Sequence, residues 1–187
     1  MKARTVFLAL LLAAALISCR ERPDPGALTD FWTMADAFSA DLTLRAMFAE
    51  RSVEFKLRCS YQDDACTVQV LEPAEISDIT VKLDREGVSL GLDELYLAAG
   101  ENQALSPATV FGELIDVWKN GGIGSCGRET YQDTPCLLLC SEQNGYEYRT
   151  LFDEETKLPV YAEVYENGRR VILCEFEHAA AKSSAAS

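Results

Sequence analysis

The sequence predicts an α+β domain that is mostly antiparallel β: a curved open sheet, or incomplete β-barrel, of about ten strands with one covering helix. Three observations carry this. Apolar and polar residues alternate with a period of two over long stretches, turn signals built on Gly and Asn punctuate them, and a single central stretch changes to helical spacing.

The elements follow in order. Thr29 or Asp30 caps a short helix that places Phe31, Met34, Ala35 and Phe38 on one face. The period then becomes two: Phe38, Ala40, Leu42, Leu44, Ala46 and Phe48 alternate with Ser39, Asp41, Thr43 and Arg45, giving one buried face and one wet face. Val53, Phe55, Leu57, Cys59 and Tyr61 repeat the pattern. Cys66, Val68 and Val70 continue it after an acidic turn at Asp63-Asp64. Ile79, Val81 and Leu83 form a further strand, and Val88, Leu90 and Leu92 another, punctuated by Pro73 and Gly87. Ser106 is a good N-cap, Pro107 suits a first helical position and Gly121-Gly122 stops the run, so a helix occupies 107–119. Its wide apolar stripe of Val110, Phe111, Leu114, Ile115 and Trp118 needs a partner, and the apolar sheet face supplies one. Hairpins return at Asn144-Gly145 and Asn167-Gly168. Residues 29–178 form one domain of about five strands, a helix and about five strands, and 179–187 read as a flexible small-residue tail.

The N-terminus has a different character. Lys2 and Arg4 precede an unbroken apolar run from Val6 to Ile17, followed by Ser18 and Cys19. Twelve helical residues reach only about 18 Å, short of the ~30 Å hydrocarbon core, so the run is no stable membrane span. A positive start, a short apolar stretch and a small residue are the parts of a secretory signal. Leu16-Ile17-Ser18-Cys19 further resembles a bacterial lipobox. That resemblance implies a signal peptide at 1–18, a diacylglyceryl group on Cys19 and a tether at 19–28; an ordinary secretory cleavage near a cysteine is the alternative. With Lys2 and Arg4 removed, 15 basic residues face all 30 acidic ones, a net charge of −15 for the remainder. Such a surface repels phosphate backbones and anionic headgroups, which excludes nucleic-acid binding and leaves the acyl chains as the membrane anchor.

Seven cysteines less Cys19 leave Cys59, Cys66, Cys126, Cys136, Cys140 and Cys174, an even number in an exported chain, which favours disulfides. Placing Cys59 opposite Cys66 also sets Leu57 against Val68 and Phe55 against Val70; two buried thiols on neighbouring strands are the alternative. Cys136 and Cys140 lie about 13 Å apart along one strand and cannot bridge each other. Cys126 to Cys136 spans a plausible hairpin, whereas Cys140 and Cys174 are two strands apart in a simple meander. No metal site is expected, since no C-x-x-C occurs and His178 is the single histidine.

Catalytic signatures are missing. His178 adjoins the frayed end, no Gly-rich phosphate loop follows a strand, and Gly121-Gly122-x-Gly124 comes at a helix end whose dipole repels phosphate. Asp153-Glu154-Glu155, lying between two strands, reads as a solvated turn rather than a calcium site or carboxylate pair. The chain therefore reads as non-catalytic, with no cofactor.

Asp153-x-x-Thr156-x-Leu158-Pro159-Val160, followed by Glu163-x-Tyr165-x-Asn167-Gly168, resembles the turn and penultimate hairpin of the LolA/LolB/RseB-like envelope proteins, especially the lipoprotein-sorting-like proteins of Gram-positive bacteria. The resemblance implies an incomplete barrel with a helical lid and an apolar hollow that holds acyl chains, or senses or regulates protein partners as a spore-germination lipoprotein does. Two functions follow as expectations for an extracytoplasmic membrane lipoprotein. In the first, Leu42, Leu44, Phe55, Leu57, Phe111, Leu114, Ile115 and Trp118 line a lipid site. In the second, the chain is a protein-interaction module of the envelope or spore, a regulator or scaffold binding a partner or a second copy of itself through its acidic face or an open sheet edge.

Overall fold

The period-two run that follows the first helix becomes the longest uninterrupted strand pairing in the protein, and the rest of the sheet is built outward from it. The computed structural model describes residues 25–48, 51–92, 95–100, 105–121 and 123–183. Helix α1 (Gly26–Met34) leads into β1 (Ala35–Phe48), β2 (Arg51–Gln62) and β3 (Ala65–Glu72). A 3-10 turn at Ala74–Ile76 precedes β4 (Ile79–Asp84), β5 (Gly87–Leu92) and β6 (Leu95–Gly100). Helix α2 (Val110–Asn120) then separates these from β7 (Ile123–Tyr131), β8 (Thr134–Gln143), β9 (Tyr146–Asp153), β10 (Pro159–Glu166) and β11 (Arg169–Ser183).

The sheet runs β6-β5-β4-β3-β2-β1-β11-β10-β9-β8-β7, antiparallel throughout. Two meanders are thus joined at the centre by their first and last strands, and β6 and β7 are the edges. Among the described residues, eleven strands against two short helices make the fold mostly β rather than α+β, while the curved open sheet with a helical cover is as expected. The strand beyond the expected ten is β6.

Four hairpins share one device. Asp63-Asp64, Gln132-Asp133, Asn144-Gly145 and Asn167-Gly168 all have positive φ at both positions, the type I′ geometry whose twist matches that of the flanking strands. At the first of these, Gln62 pairs with Ala65, so Cys59 faces Val68, Tyr61 faces Cys66 and Leu57 faces Val70. The expected Cys59–Cys66 opposition is therefore corrected by two residues.

The helices begin elsewhere than expected. Pro25, with a helical φ of −69°, takes the N-cap position, and Thr29 lies inside α1, its hydroxyl donating to the Pro25 carbonyl. Leu28 and Trp32 form the buried face, Phe31 is half-buried, Met34 is exposed, and Phe38 belongs to β1. At α2 the segment 107–109 is a turn: Thr109 N–H and Val110 N–H both donate to the Ser106 carbonyl, and the helix proper opens at Val110. The tail expected to be flexible from 179 continues β11 to Ser183, because β1 needs a partner along its first half; Phe38 pairs with Ala181 and Ala37 with Lys182.

Both helices lie on the concave face. Trp32 packs at 4.7 Å from Trp118, 5.1 Å from Phe38 and 5.9 Å from Phe152. Trp118 also meets Phe176 at 5.8 Å, and its indole N–H donates to Thr150 Oγ1 at 3.0 Å. Apolar burial of several aromatic rings, worth about 0.5–1.5 kcal/mol per ring pair beyond area, holds α1 and α2 down.

Candidate functional site

The two ends of the concave face differ. Around β1 and β9–β11 it is filled. Leu42, Leu44, Leu57, Phe111, Leu114, Ile115 and Trp118, expected to line a hollow, are all buried in one core cluster, with only Phe55 partly open beside it. Beneath the helices these side chains pack on one another and on Trp32.

The β3–β6 wing lacks that cover. Register carries the core rows outward: Val68 pairs with Val81, Val81 with Leu90 and Leu90 with Leu97, while Ile79 pairs with Leu92. Val68 and Val81 are buried, but Leu90, Leu92 and Leu97 are 43%, 55% and 64% exposed. Phe48 and Val53 add exposed apolar surface at the β1–β2 end of the same face. Large apolar side chains exposed side by side mark a binding surface more often than an accident of folding.

One row nearer α2, Tyr61, Cys66, Leu83 and Val88 form the floor of an open cleft of about 910 Å³, walled by Gly112 and Ile115 on α2 and by the β4–β5 hairpin. A Cβ placed on Gly112 would stand 3.4 Å from a Leu83 methyl and 3.7 Å from Cys66 Sγ, so α2 faces the floor here at ordinary contact distance. The rim is charged: Asp64, Asp84, Glu86, Glu113 and Asp116 outnumber Arg85 and Lys119. Arg85 pairs with Asp64, and the Lys119 ammonium donates to the Ala35 carbonyl while sitting 5.1 Å from the Tyr61 ring centre. Asp116 accepts from Asn120 and Gln143. Burial, then the neighbouring Asp116, pushes the Glu113 carboxyl above its ordinary value. Tyr61, buried and bonded to Asp64 at 3.0 Å, is raised to about 12.

Cys59, Cys66, Cys136, Cys140 and Cys174 are thiols with no disulfide among them. Cys126 faces Leu139 and Cys136 faces Glu129, so that hairpin does not oppose its two cysteines. Cys140 and Cys174 have β9 and β10 between their strands. Burial pushes Cys59 and Cys174 up and Cys66 to about 12, which leaves them protonated and inert at neutral pH.

The carboxylates named in sequence serve the backbone. Asp153 Oδ1 accepts from the Glu155 and Thr156 N–H groups and the Thr156 hydroxyl, which holds its pKa below the ordinary value. The Asp-x-x-Thr spacing is thus a turn cap, and Lys157 follows it with φ of 63°. On the convex face, burial would raise the Glu163 carboxyl, but hydrogen bonds from Arg170, Tyr161 and Tyr165 outweigh it and hold the carboxyl low. His178 lies exposed on a strand irregularity, 3.2 Å from Asp41. Among the described residues no group of three His, Cys, Asp or Glu is placed to hold a metal ion, and no helix is long and apolar enough to cross a membrane. Cys19, the signal segment at 1–18 and residues 19–24 of the tether lie outside the described residues.

Sequence reasoning named Leu90 and Leu92 as strand residues but not as exposed ones, and missed Leu97 and the acidic rim. The signal for the rim was the run Asp84-Arg85-Glu86, beside a Gly87 that reads as punctuation between strands.

No family model matches the sequence, and no curated protein matches it. Solved structures do. An uncharacterized conserved protein from Thermus thermophilus shares 8% identity with a TM-score of 0.53, covering 84% of this chain and 85% of that one. The LolA superfamily protein NE2245 from Nitrosomonas europaea scores 0.43 at 10% identity, over 86% of this chain and 94% of that one. MucB scores 0.45 at 11% identity, over 87% of this chain and 61% of that one. At these identities the likeness is one of fold, and the open curved sheet with helices on its concave face is the architecture the C-terminal motif implied.

Proposed function

We propose that this chain is a non-catalytic lipoprotein, anchored through acylated Cys19 on the extracytoplasmic face of a membrane, that holds a lipid tail against its concave face. The observation that supports the reading is the uncovered apolar row on β4–β6. Leu90, Leu92 and Leu97 continue the core rows in register yet stay open. A lipid tail laid along them gains about 25 cal/mol per Å² of apolar surface removed from water. The filled half under the helices serves as the rigid frame, so the site lies to one side of the hollow expected from sequence.

The test is binding of an environment-sensitive fluorescent fatty acid to the purified full chain, with native mass spectrometry to detect a co-purified lipid. Leu90→Glu with Leu92→Glu should weaken binding about tenfold or more while leaving the fold intact, each tenfold being 1.4 kcal/mol. Unchanged affinity in the double variant would sink the reading. For the anchor, Cys19→Ser should move the protein from the membrane to the soluble fraction.

A second reading, a protein-interaction module of the envelope, draws support from the open edges β6 and β7, whose unpaired backbone groups are able to accept another strand. Crosslinking in native membranes separates the two readings, since a partner or second copy bound at an edge leaves the fatty-acid site free.

A further inference from the structure

We infer that β6 is a docking edge: it takes an extended, alternately apolar segment of a basic partner polypeptide, which joins the sheet as one more antiparallel strand. This rests on the protein-interaction reading above and specifies which edge is used and what chemistry the partner carries.

The two edges of the sheet are built differently. An edge strand offers unpaired N–H and C=O groups to a newcomer, and proteins blunt that offer with charges on the strand. β7 carries Arg128 and Glu129, both exposed, with Arg128 tied to Glu154 of the β9–β10 turn. β6 is made of Leu, Tyr, Ala and Gly alone, with no charge and no proline over its length. Its apolar side is open as well: Leu97 is 64% exposed, and Leu90, its partner on β5, is 43% exposed. An added strand with apolar residues at alternate positions lays them beside Leu97, and so carries the row Val68, Val81, Leu90, Leu97 one strand further. In such additions the backbone bonds supply affinity and the alternate side chains supply choice of sequence. Antiparallel pairing follows the rest of the sheet and is the stronger ladder per residue.

Charge then names the occupant. Exposed carboxylates stand at both ends of the wing, Glu75 and Asp78 ahead of β4, Asp84 and Glu86 at the β4–β5 hairpin. Register sets Ile79 and Leu92 beside the start of β6, and Leu83 and Val88 beside its end, so these acids flank the edge on either side. From 74 to 100 the sequence has six acidic residues and two basic ones, and one of the two, Arg85, is held by Asp64. Strands lie about 4.8 Å apart, so a chain docked on β6 runs about 10 Å from the β5 backbone, near one screening length at 0.1 M salt. A second copy is the wrong occupant. Two-fold antiparallel pairing of β6 with itself would set the Asp84 and Glu86 end of one copy against the Glu75 and Asp78 end of the other, between chains of net charge −13. An apolar strand flanked by lysine or arginine gains from the same carboxylates that repel the second copy.

The experiment uses a labelled peptide with a Val-Thr-Val-Thr-Val core and two lysines at each end, capped at both termini, and a second in which every lysine is glutamate. Each is titrated with the purified full chain at low salt and followed by fluorescence anisotropy. The lysine peptide should bind about tenfold tighter or more, with the gap shrinking at 0.5 M salt as the ~10 Å screening length falls. Methylating the backbone nitrogens of its core should abolish binding, since no ladder then forms. Ala98 is exposed and lies on the opposite side of β6 from Leu97, so Ala98→Arg should weaken the lysine peptide about tenfold and leave fatty-acid binding unchanged. Glu129→Arg on β7, a larger change in charge, should do neither. Equal binding of the two peptides, or indifference to Ala98→Arg or to methylation, overturns the proposal. Loss with Glu129→Arg alone moves the docking to β7, so the interaction reading stands while this proposal falls. A dimer of the chain alone that Ala98→Arg dissolves gives the edge to a second copy and overturns it too. Failure of both peptides while fatty acid still binds removes the docking edge and leaves the lipid site standing.

Discussion

The covered half of the sheet and the β3–β6 wing are written in the same alternation and end in opposite states. Leu42 and Leu44 on β1 are buried under α1 and α2, while Leu90 and Leu92 on β5, further out on the same face, stand open to solvent. Nothing in the alternation itself distinguishes them. What differs is whether a helix, long enough and apolar enough, reaches that far across the face. Alternation tells which side of a strand is apolar, and only the cover decides whether that side becomes core or binding surface.

The contrast can be broken from its strongest point. Trp118→Ala removes an indole that touches Trp32, Phe152 and Phe176 and leaves Thr150 without its donor. A loss of about 3–5 kcal/mol is expected, read as a fall in melting temperature of roughly 10 °C. A fall of only a degree or two would mean the covered half is as loosely built as the wing.

The convex face gives a second, smaller contrast. Glu163 accepts from three neighbours and its side chain is 15% exposed, whereas the Lys56–Glu72 pair on β2–β3 is half exposed on both sides. Glu163→Gln should cost about 1–2 kcal/mol, and Glu72→Gln almost nothing. Because the folded Glu163 carboxyl is held below its ordinary value of 4.5, its contribution is present above that pH and is lost as pH falls through the lower, folded value. Denaturant midpoints measured between pH 7 and 3 should therefore drop less steeply in Glu163→Gln than in the native chain. Parallel curves would remove Glu163 from the account.

Thiol chemistry sharpens the comparison without mutation. Cys59, Cys66 and Cys174 should resist iodoacetamide at pH 8 in the folded protein and react on unfolding, as peptide mapping would show. Cys66 sits where the filled half meets the cleft floor, so labelling there first would reveal the seam at which the face opens. A small effect is also expected on the wing: Leu92→Gln should change stability by no more than about 0.5 kcal/mol, since the residue loses little burial. A loss of 2 kcal/mol would show that the wing is covered in solution.

Much of this was legible in the residues. The strands, the apolar stripe of α2 and the Asn-Gly hairpins follow from period and turn chemistry. The Cys59 register was not, for a definite reason. Setting Cys59 against Cys66 requires a turn centred on Gln62-Asp63, although the acidic turn named in the sequence is Asp63-Asp64; the two differ by a two-residue slide, which keeps every side chain on its face. Hydrophobic pattern cannot separate such registers; the positive φ at both aspartates does. The start of α1 was obscured because Pro25 supplies a helical φ without a capping side chain. The candidate site was the least legible part, since Leu42 and Leu92 carry the same pattern.

The meeting of β1 and β11 has a consequence for how the molecule is assembled. Ala35 pairs with Ser183, so the first and last strands in chain order are stitched together at the centre of the sheet. The first meander cannot complete its inner border until the last strand has been delivered, and until then β1 is a bare edge. Long sequence separation makes that closing step slow, and neither half is finished until β11 has docked on β1.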